Sequence, residues 1–95
     1  MSARPNEPLA SLVFTPAFLR DLVGHRFNDI ERKKFMKALE LLEANERHRS
    51  LEVHQLTSDL SGVWAAKADD ALRLLFQRLP EGRKLLLSCS RHYRK

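Results

Sequence analysis

The sequence has few cysteines, glycines and prolines and no long apolar run, and each scarcity excludes a class of protein. Its single cysteine, Cys89, excludes a disulfide framework. Only three glycines and four prolines occur in 95 residues, and 43% of residues are hydrophobic, which excludes disorder as the main description. No run approaches the ~18 apolar residues of a membrane span, and residues 1–8 lack the apolar stretch of a signal peptide. We therefore expect one domain at residues 9–95, a loose leader at residues 1–8 and a cytoplasmic location.

Common cofactor and metal motifs are also missing. The chain contains no GxxxxGK[ST], GxGxxG or HExxH segment. Its four histidines do not share a metal-ligand spacing with Cys89, and no Ser-His-Asp arrangement is visible. We therefore expect neither a cofactor nor a metal.

Positive charge is in excess and is concentrated near the C-terminus. Lys and Arg number 17 against 12 Asp and Glu, a formal net charge of +5. Residues 83–95 hold five basic residues and no acidic one. Two interpretations stay open at this point: a solvated basic tail, or a surface that meets a polyphosphate.

Two helices are predicted in the first half of the chain. Thr15-Pro16 is a typical helix start, and the helix that follows should stop at Gly24 in a left-handed conformation. Asn28 and Glu31 have the spacing of a capping box before a helix at residues 29–47. Its predicted apolar face consists of Ile30, Phe35, Ala38, Leu39 and Leu42.

Five strands complete the pattern, at about residues 9–14, 51–56, 62–68, 72–79 and 83–90. The segments at 57–61, 69–70 and 80–82 are turn-like. The fold class is therefore α+β, with order β-α-α-β-β-β-β and a helical hairpin packed on one face of a mostly antiparallel, twisted sheet. His54 and Arg73 are polar residues in otherwise apolar strands, and we expect them on the uncovered face.

Polar residues on these strands and in the tail that follows them suit general acid–base chemistry. RNA carries its own nucleophile, the ribose 2′-OH. An enzyme need only remove that proton, stabilise negative charge on phosphorus and protonate the 5′-oxygen, which requires no metal. His54, Lys67, Arg73 and His92 are residues of the right type.

Three short segments carry a resemblance to a known family. They are LSGVW at residues 60–64, an arginine inside LRLLF at residues 72–76, and His-Tyr at residues 92–93. In order and spacing they resemble the RelE/ParE toxin superfamily, most closely its YoeB-like branch of ribosome-dependent mRNA endonucleases from bacterial toxin–antitoxin pairs. The resemblance covers about residues 9–93.

The resemblance implies roles for particular residues. Arg73 would hold the scissile phosphate, His92 would be the general acid, and Tyr93 would orient the site or stack on a base. Lys67 would add a phosphate contact. His54 stands where YoeB-like toxins have a glutamate base, and other members of the superfamily use a histidine on that strand.

The resemblance also implies partners and leaves alternatives open. The partners are a cognate antitoxin, mRNA and the ribosome, with no membrane, and the protein would be a monomer or a dimer within its complex.

Arg91 and Arg94, on either side of His92-Tyr93, are further predicted phosphate contacts. Thr57 and Val63 depart from common residues of the branch, and two residues follow Tyr93. A ParE-like gyrase inhibitor and an RNA-binding member without activity are the alternatives.

Overall fold

The computed structural model describes residues 10–56 and 62–91, which form two helices, five strands and two short 3-10 turns. The predicted leader, the segment at 57–61 and the terminal residues 92–95 lie outside the described residues. In chain order the elements are β1 (Leu12–Phe14), α1 (Pro16–Val23), α2 (Asp29–Ala44), a 3-10 turn (Arg49–Leu51), β2 (His54–Gln55), β3 (Trp64–Asp69), β4 (Leu72–Arg78), a second 3-10 turn (Pro80–Gly82) and β5 (Lys84–Arg91).

Both helices begin where the sequence predicts. The Thr15 hydroxyl accepts the Phe18 N–H at 3.1 Å, and Pro16 opens α1. Asn28 and Glu31 form both bonds of the capping box, at 2.8 and 2.9 Å. These bonds satisfy N–H groups that the first turn leaves without partners.

The helix ends differ from the predictions. Helix α2 ends at Ala44 rather than at residue 47, because Asn45 leaves the helical region at φ −165°. Gly24 ends α1 with φ −81°, so the expected left-handed stop is wrong. Glycine is needed there for another reason: a Cβ atom would lie 2.6 Å from the Arg20 carbonyl oxygen.

The sheet confirms the predicted α+β class. Its strand order is β1-β5-β4-β3-β2, with β1 parallel to β5 and all other pairs antiparallel. Strand β5 is an inner strand, as its Leu-Leu-Leu run predicts. Among the described residues, no helix is long and apolar enough to cross a membrane.

The two helices cover one face of this sheet and build the core with it. Phe18 of α1 and Phe35 of α2 are fully buried with Leu74, Phe76 and Leu86 of the sheet. Ile30, predicted on the same face of α2, is 67% exposed. At about 100° per residue, Ile30 lies about 140° around the helix from Phe35, outside the buried stripe.

The predicted strand at 51–56 is much shorter in the structure. Leu51 is buried within the 3-10 turn, and only His54–Gln55 pairs with β3. Glu52 interrupts the extended backbone because it adopts a left-handed conformation, with φ 43°. The predicted alternation from Leu51 is therefore wrong, although His54 keeps its place on a strand.

Candidate functional site

The structure brings His54, Lys67 and Arg73 to one face of the sheet. His54 lies opposite Ala65, and Lys67 lies opposite Arg73, in antiparallel register. Ala65 and Lys67 are two residues apart on β3, so they point to the same face. Ala66, between them, is fully buried against the helices. The three polar residues therefore share the face that the helices leave uncovered.

Arg73 is held by the turn between β3 and β4. Its Nη1 atom donates to the carbonyl oxygens of Asp69 at 2.7 Å, Leu72 at 3.1 Å and Asp70 at 3.3 Å. Within residues 10–56 and 62–91, its Nε and Nη2 atoms have no protein acceptor. A guanidinium fixed by carbonyl groups on one nitrogen can present its remaining N–H groups to a phosphate.

The ammonium group of Lys67 forms ion pairs with two carboxylates. Its Nζ atom lies 3.1 Å from Asp70 Oδ1 and 3.4 Å from Glu52 Oε2. Hydrogen bonds to Asp70 and then Glu52 raise the pKa of Lys67 above its usual value. The lysine is thus positively charged, but a phosphate would have to compete with both carboxylates for it.

His54 is exposed, and one of its ring nitrogens is engaged. Its Nδ1 atom lies 2.9 Å from the carbonyl oxygen of Glu52. A carbonyl oxygen can only accept, so Nδ1 carries the proton and the neutral ring has its lone pair on Nε2. This tautomer suits a general base, because the unprotonated Nε2 atom has no hydrogen-bond partner among the residues that the structure describes.

His54 and Arg73 lie diagonally across β3. His54 pairs with Ala65, which pairs with Leu75, two residues along β4 from Arg73. With strands about 4.8 Å apart and about 3.4 Å per residue along a strand, their Cα atoms are roughly 12 Å apart. The pair combines a base with a cation, which is the minimum for activating a 2′-OH beside a phosphate.

Arg91, a predicted phosphate contact, lies on the helix-covered side instead. It is opposite the buried residue Leu72 on β4. Its guanidinium donates to both carboxylate oxygens of Glu31, at 3.2 and 3.1 Å, and to the Arg26 carbonyl at 2.9 Å. It also lies 4.6 Å from the centre of the Phe27 ring. The structure therefore does not bring Arg91 together with Arg73.

The remaining predicted residues lie beyond Arg91. His92, Tyr93 and Arg94 are outside the described residues, so their proposed roles stay predictions. In the described ranges, no group of three His, Cys, Asp or Glu side chains is placed to hold a metal ion.

A second polar cluster was not predicted from the sequence. Glu46 accepts two bonds from Arg78, at 3.0 and 2.7 Å, and lies 2.9 Å from the ammonium of Lys84, which is only 5% exposed. Hydrogen bonds from Arg78 and then Lys84 lower the pKa of Glu46 to about 2, against the opposing effect of burial. The guanidinium of Arg78 also lies 4.1 Å from the centre of the Trp64 ring. Glu46 and Arg78 are 32 residues apart, so no local spacing could reveal the cluster.

Comparison with known proteins gives matches among solved structures only. No family model and no curated protein matches the chain. The RelBE2 toxin–antitoxin complex from Mycobacterium tuberculosis matches with a TM-score of 0.67 and 23% identity, over 85% of this chain and 95% of that one. The YoeB–YefM heterotetramer from Staphylococcus aureus matches with a TM-score of 0.59 and 26% identity, over 96% and 100%. YafQ from E. coli matches with a TM-score of 0.66 and 19% identity, over 85% and 91%.

Proposed function

From the fold of the RelE/ParE toxin superfamily, which this chain shares, we propose that it is the toxin of a type II toxin–antitoxin pair. We further propose that it is a ribosome-dependent mRNA endonuclease that needs no metal and acts in the cytoplasm. The observation that carries the proposal is the placement of His54 and Arg73 on the uncovered face of the sheet.

The proposed reaction uses the nucleophile of the RNA itself. Nε2 of His54 removes the proton of the 2′-OH, and the 2′-oxygen forms a bond to phosphorus. Arg73, with help from Lys67, stabilises the additional negative charge on the phosphate oxygens. The bond from phosphorus to the 5′-oxygen breaks as that oxygen takes a proton from His92, the general acid that the family resemblance implies. The products are a 2′,3′-cyclic phosphate and a free 5′-hydroxyl.

A cognate antitoxin is the proposed protein partner. The matched chains include toxins in complexes with antitoxins, namely RelBE2, YoeB–YefM and DinJ–YafQ. The net charge of +5 suits an acidic antitoxin segment. The free protein would be a monomer or a dimer, and one matched structure from Staphylococcus aureus is a YoeB dimer.

The test is cleavage of a defined message by purified protein with and without ribosomes. Primer extension should reveal cuts that require ribosomes, survive EDTA concentrations that leave the ribosomes intact, and disappear in Arg73→Ala. His54→Gln should lower the rate, because glutamine cannot take the proton of the 2′-OH. Circular dichroism should show that both variants are folded. An intact message with folded wild-type protein would refute the nuclease.

The same preparation tests the alternatives. The ParE-like possibility has support in a match to a chain described as a YoeB/ParE toxin from Agrobacterium tumefaciens, with a TM-score of 0.62. Inhibition of gyrase supercoiling at micromolar protein, with the message uncut, would favour it. RNA binding without cleavage or gyrase inhibition would favour a member that has lost activity.

A further inference from the structure

A groove beside the β2 edge of the sheet has no role in the proposed reaction. It encloses about 410 Å³ between the turn after α2 and the nearby ends of β3 and β4. Cationic and aromatic side chains line much of it: Arg47, His48, Arg49, Trp64 and Arg78. A volume of this order falls within the range of about 300–1,000 Å³ seen for small-ligand sites, which suits a nucleotide better than a duplex.

Arg78 forms a fixed flat surface in this groove. Glu46 holds its guanidinium with two hydrogen bonds, and the Trp64 ring lies against it at 4.1 Å. The side chain of Arg78 is still 38% exposed. Fixed guanidinium planes and aromatic rings are surfaces on which unpaired bases stack without regard to sequence.

Arg47 and Arg49 supply charge that the protein does not neutralise. Both are exposed, and neither has a carboxylate partner within the part of the chain that the structure describes. The acidic residues of the groove are already engaged, since Glu46 binds Arg78 and Lys84, and Glu52 binds Lys67. Two exposed arginines beside a stacking surface match the phosphates and bases of one strand.

We propose that this groove binds a single-stranded RNA segment, with phosphates at Arg47 and Arg49 and a base stacked on the Arg78–Trp64 surface. The proposal rests on the proposed function and adds a binding site to it. Glu52 and Val53 line the groove and directly precede His54. Trp64 and Ala65 are consecutive on β3, so Trp64 and His54 lie on opposite faces, and a strand would have to pass round the β2 edge to reach the candidate base.

Trp64 makes the proposal testable without any cleavage, because it is the only tryptophan in the chain. Titration with a short 2′-deoxy-blocked single-stranded RNA should change its fluorescence in a saturable way. The double variant Arg47→Gln/Arg49→Gln should weaken binding at low salt at least tenfold. It should also reduce the slope of log K against log salt by about 1.4, since each phosphate contact on a single strand contributes about 0.7.

The control is Lys33→Gln/Lys37→Gln, which removes the same charge from exposed positions on α2. It should bind the RNA within about threefold of wild type. Equal losses in the two double variants would overturn the proposal, because only overall charge would then matter. Binding seen by anisotropy of a labelled RNA, with no change in Trp64 fluorescence, would overturn it as well.

Two further measurements, KM for ribosome-bound message and co-sedimentation with vacant ribosomes, identify the source of the RNA. If the segment belongs to the message, the arginine double variant should raise KM for ribosome-bound message and leave co-sedimentation with vacant ribosomes unchanged. If it belongs to ribosomal RNA, co-sedimentation should weaken instead. A fluorescence change without any cleavage would leave the groove in place and refute the nuclease. Cleavage without a fluorescence change would support the nuclease and refute the groove as an RNA-binding site.

Discussion

Lys67 and Arg73 lie directly opposite each other on β3 and β4, so two cations face one another across adjacent strands. Like charges in this position destabilise a sheet. The fold compensates in two ways: Arg73 donates to three turn carbonyls, and Lys67 contacts the carboxylates of Asp70 and Glu52. The two cations thus remain together on the open face, where a bound phosphate would relieve their repulsion.

This pair predicts unequal effects of removing each charge. Arg73→Gln should reduce single-turnover cleavage by roughly 100-fold or more, as loss of a preorganised group at the reacting phosphate does. Lys67→Gln should cost only about tenfold, because Asp70 and Glu52 already occupy its ammonium. Thermal unfolding should confirm that both variants fold. A larger loss in Lys67→Gln than in Arg73→Gln would contradict the assignment of Arg73 to the scissile phosphate.

The Glu46 cluster predicts a specific response to acid. The pKa of Glu46 falls from 4.5 to about 2 on folding, so its contribution to stability is complete above about pH 4.5 and is lost as the pH falls towards 2. Glu46→Gln should therefore lower the free energy of unfolding by about 1–3 kcal/mol at pH 7, allowing for solvent screening at this partly exposed group. The difference from wild type should shrink by pH 2.5.

Denaturant titrations at pH 7, 4 and 2.5 measure this difference. Glu40→Gln is the matched control, since Glu40 is an exposed residue of α2 outside the described ion pairs, and it should change stability by less than about 0.5 kcal/mol. A constant difference between wild type and Glu46→Gln across the three pH values would rule out the ionised carboxylate as the cause.

The parts of the fold that the sequence could predict are those that depend on near neighbours. The Thr15 side chain caps the backbone N–H three residues later, and the side chains of Asn28 and Glu31 each accept a hydrogen bond from the other's backbone N–H. Short apolar-rich segments between turn-like ones placed His54 and Arg73 on strands, and the pairing of β2, β3 and β4 then put them on one face. The β-α-α-β-β-β-β order was predictable for the same reason.

The rest depended on contacts between residues far apart in sequence. Nothing near Arg91 shows that Glu31, 60 residues earlier, would bind it on the helix-covered side. Glu46 likewise finds Arg78 only once α2 has packed on the sheet. The left-handed conformation of Glu52, which shortens β2, could not be predicted either, because glutamate rarely adopts a positive φ.

The burial of Cys89 predicts that its thiol, on β5, is protected from reagents in the folded protein. Its side chain is fully buried, and burial, followed by the nearby charge of Asp21, raises the pKa of the thiol to about 12. Thiol reagents attack the thiolate, so iodoacetamide at pH 8 should leave the native protein unlabelled for hours and label it once in denaturant. Mass spectrometry gives an unambiguous count because the chain has no other cysteine. Rapid native labelling would instead show that β5 opens locally.

Arg91 and Glu31 connect the end of β5 to the start of α2. The two hydrogen bonds between them fix the last described residue of the strand, and the next residue in the sequence is the predicted general acid, His92. Hydrogen bonds from the Asn28 backbone and then Arg91 lower the pKa of Glu31 below its usual value. The ion pair should therefore stabilise the protein at neutral pH and lose that effect as the carboxylate is protonated in acid.

Glu31→Gln separates an anchoring role of Arg91 from the phosphate contact that the sequence predicts. Glutamine can still complete the capping box, so the helix start is retained while the ion pair is lost. If Arg91 is an anchor, this variant should lower kcat several-fold with little change in KM, and it should lower stability by about 1 kcal/mol at pH 7. Arg91→Gln should do the same. A rise in KM for Arg91→Gln, combined with unchanged kinetics in Glu31→Gln, would show instead that Arg91 binds RNA directly.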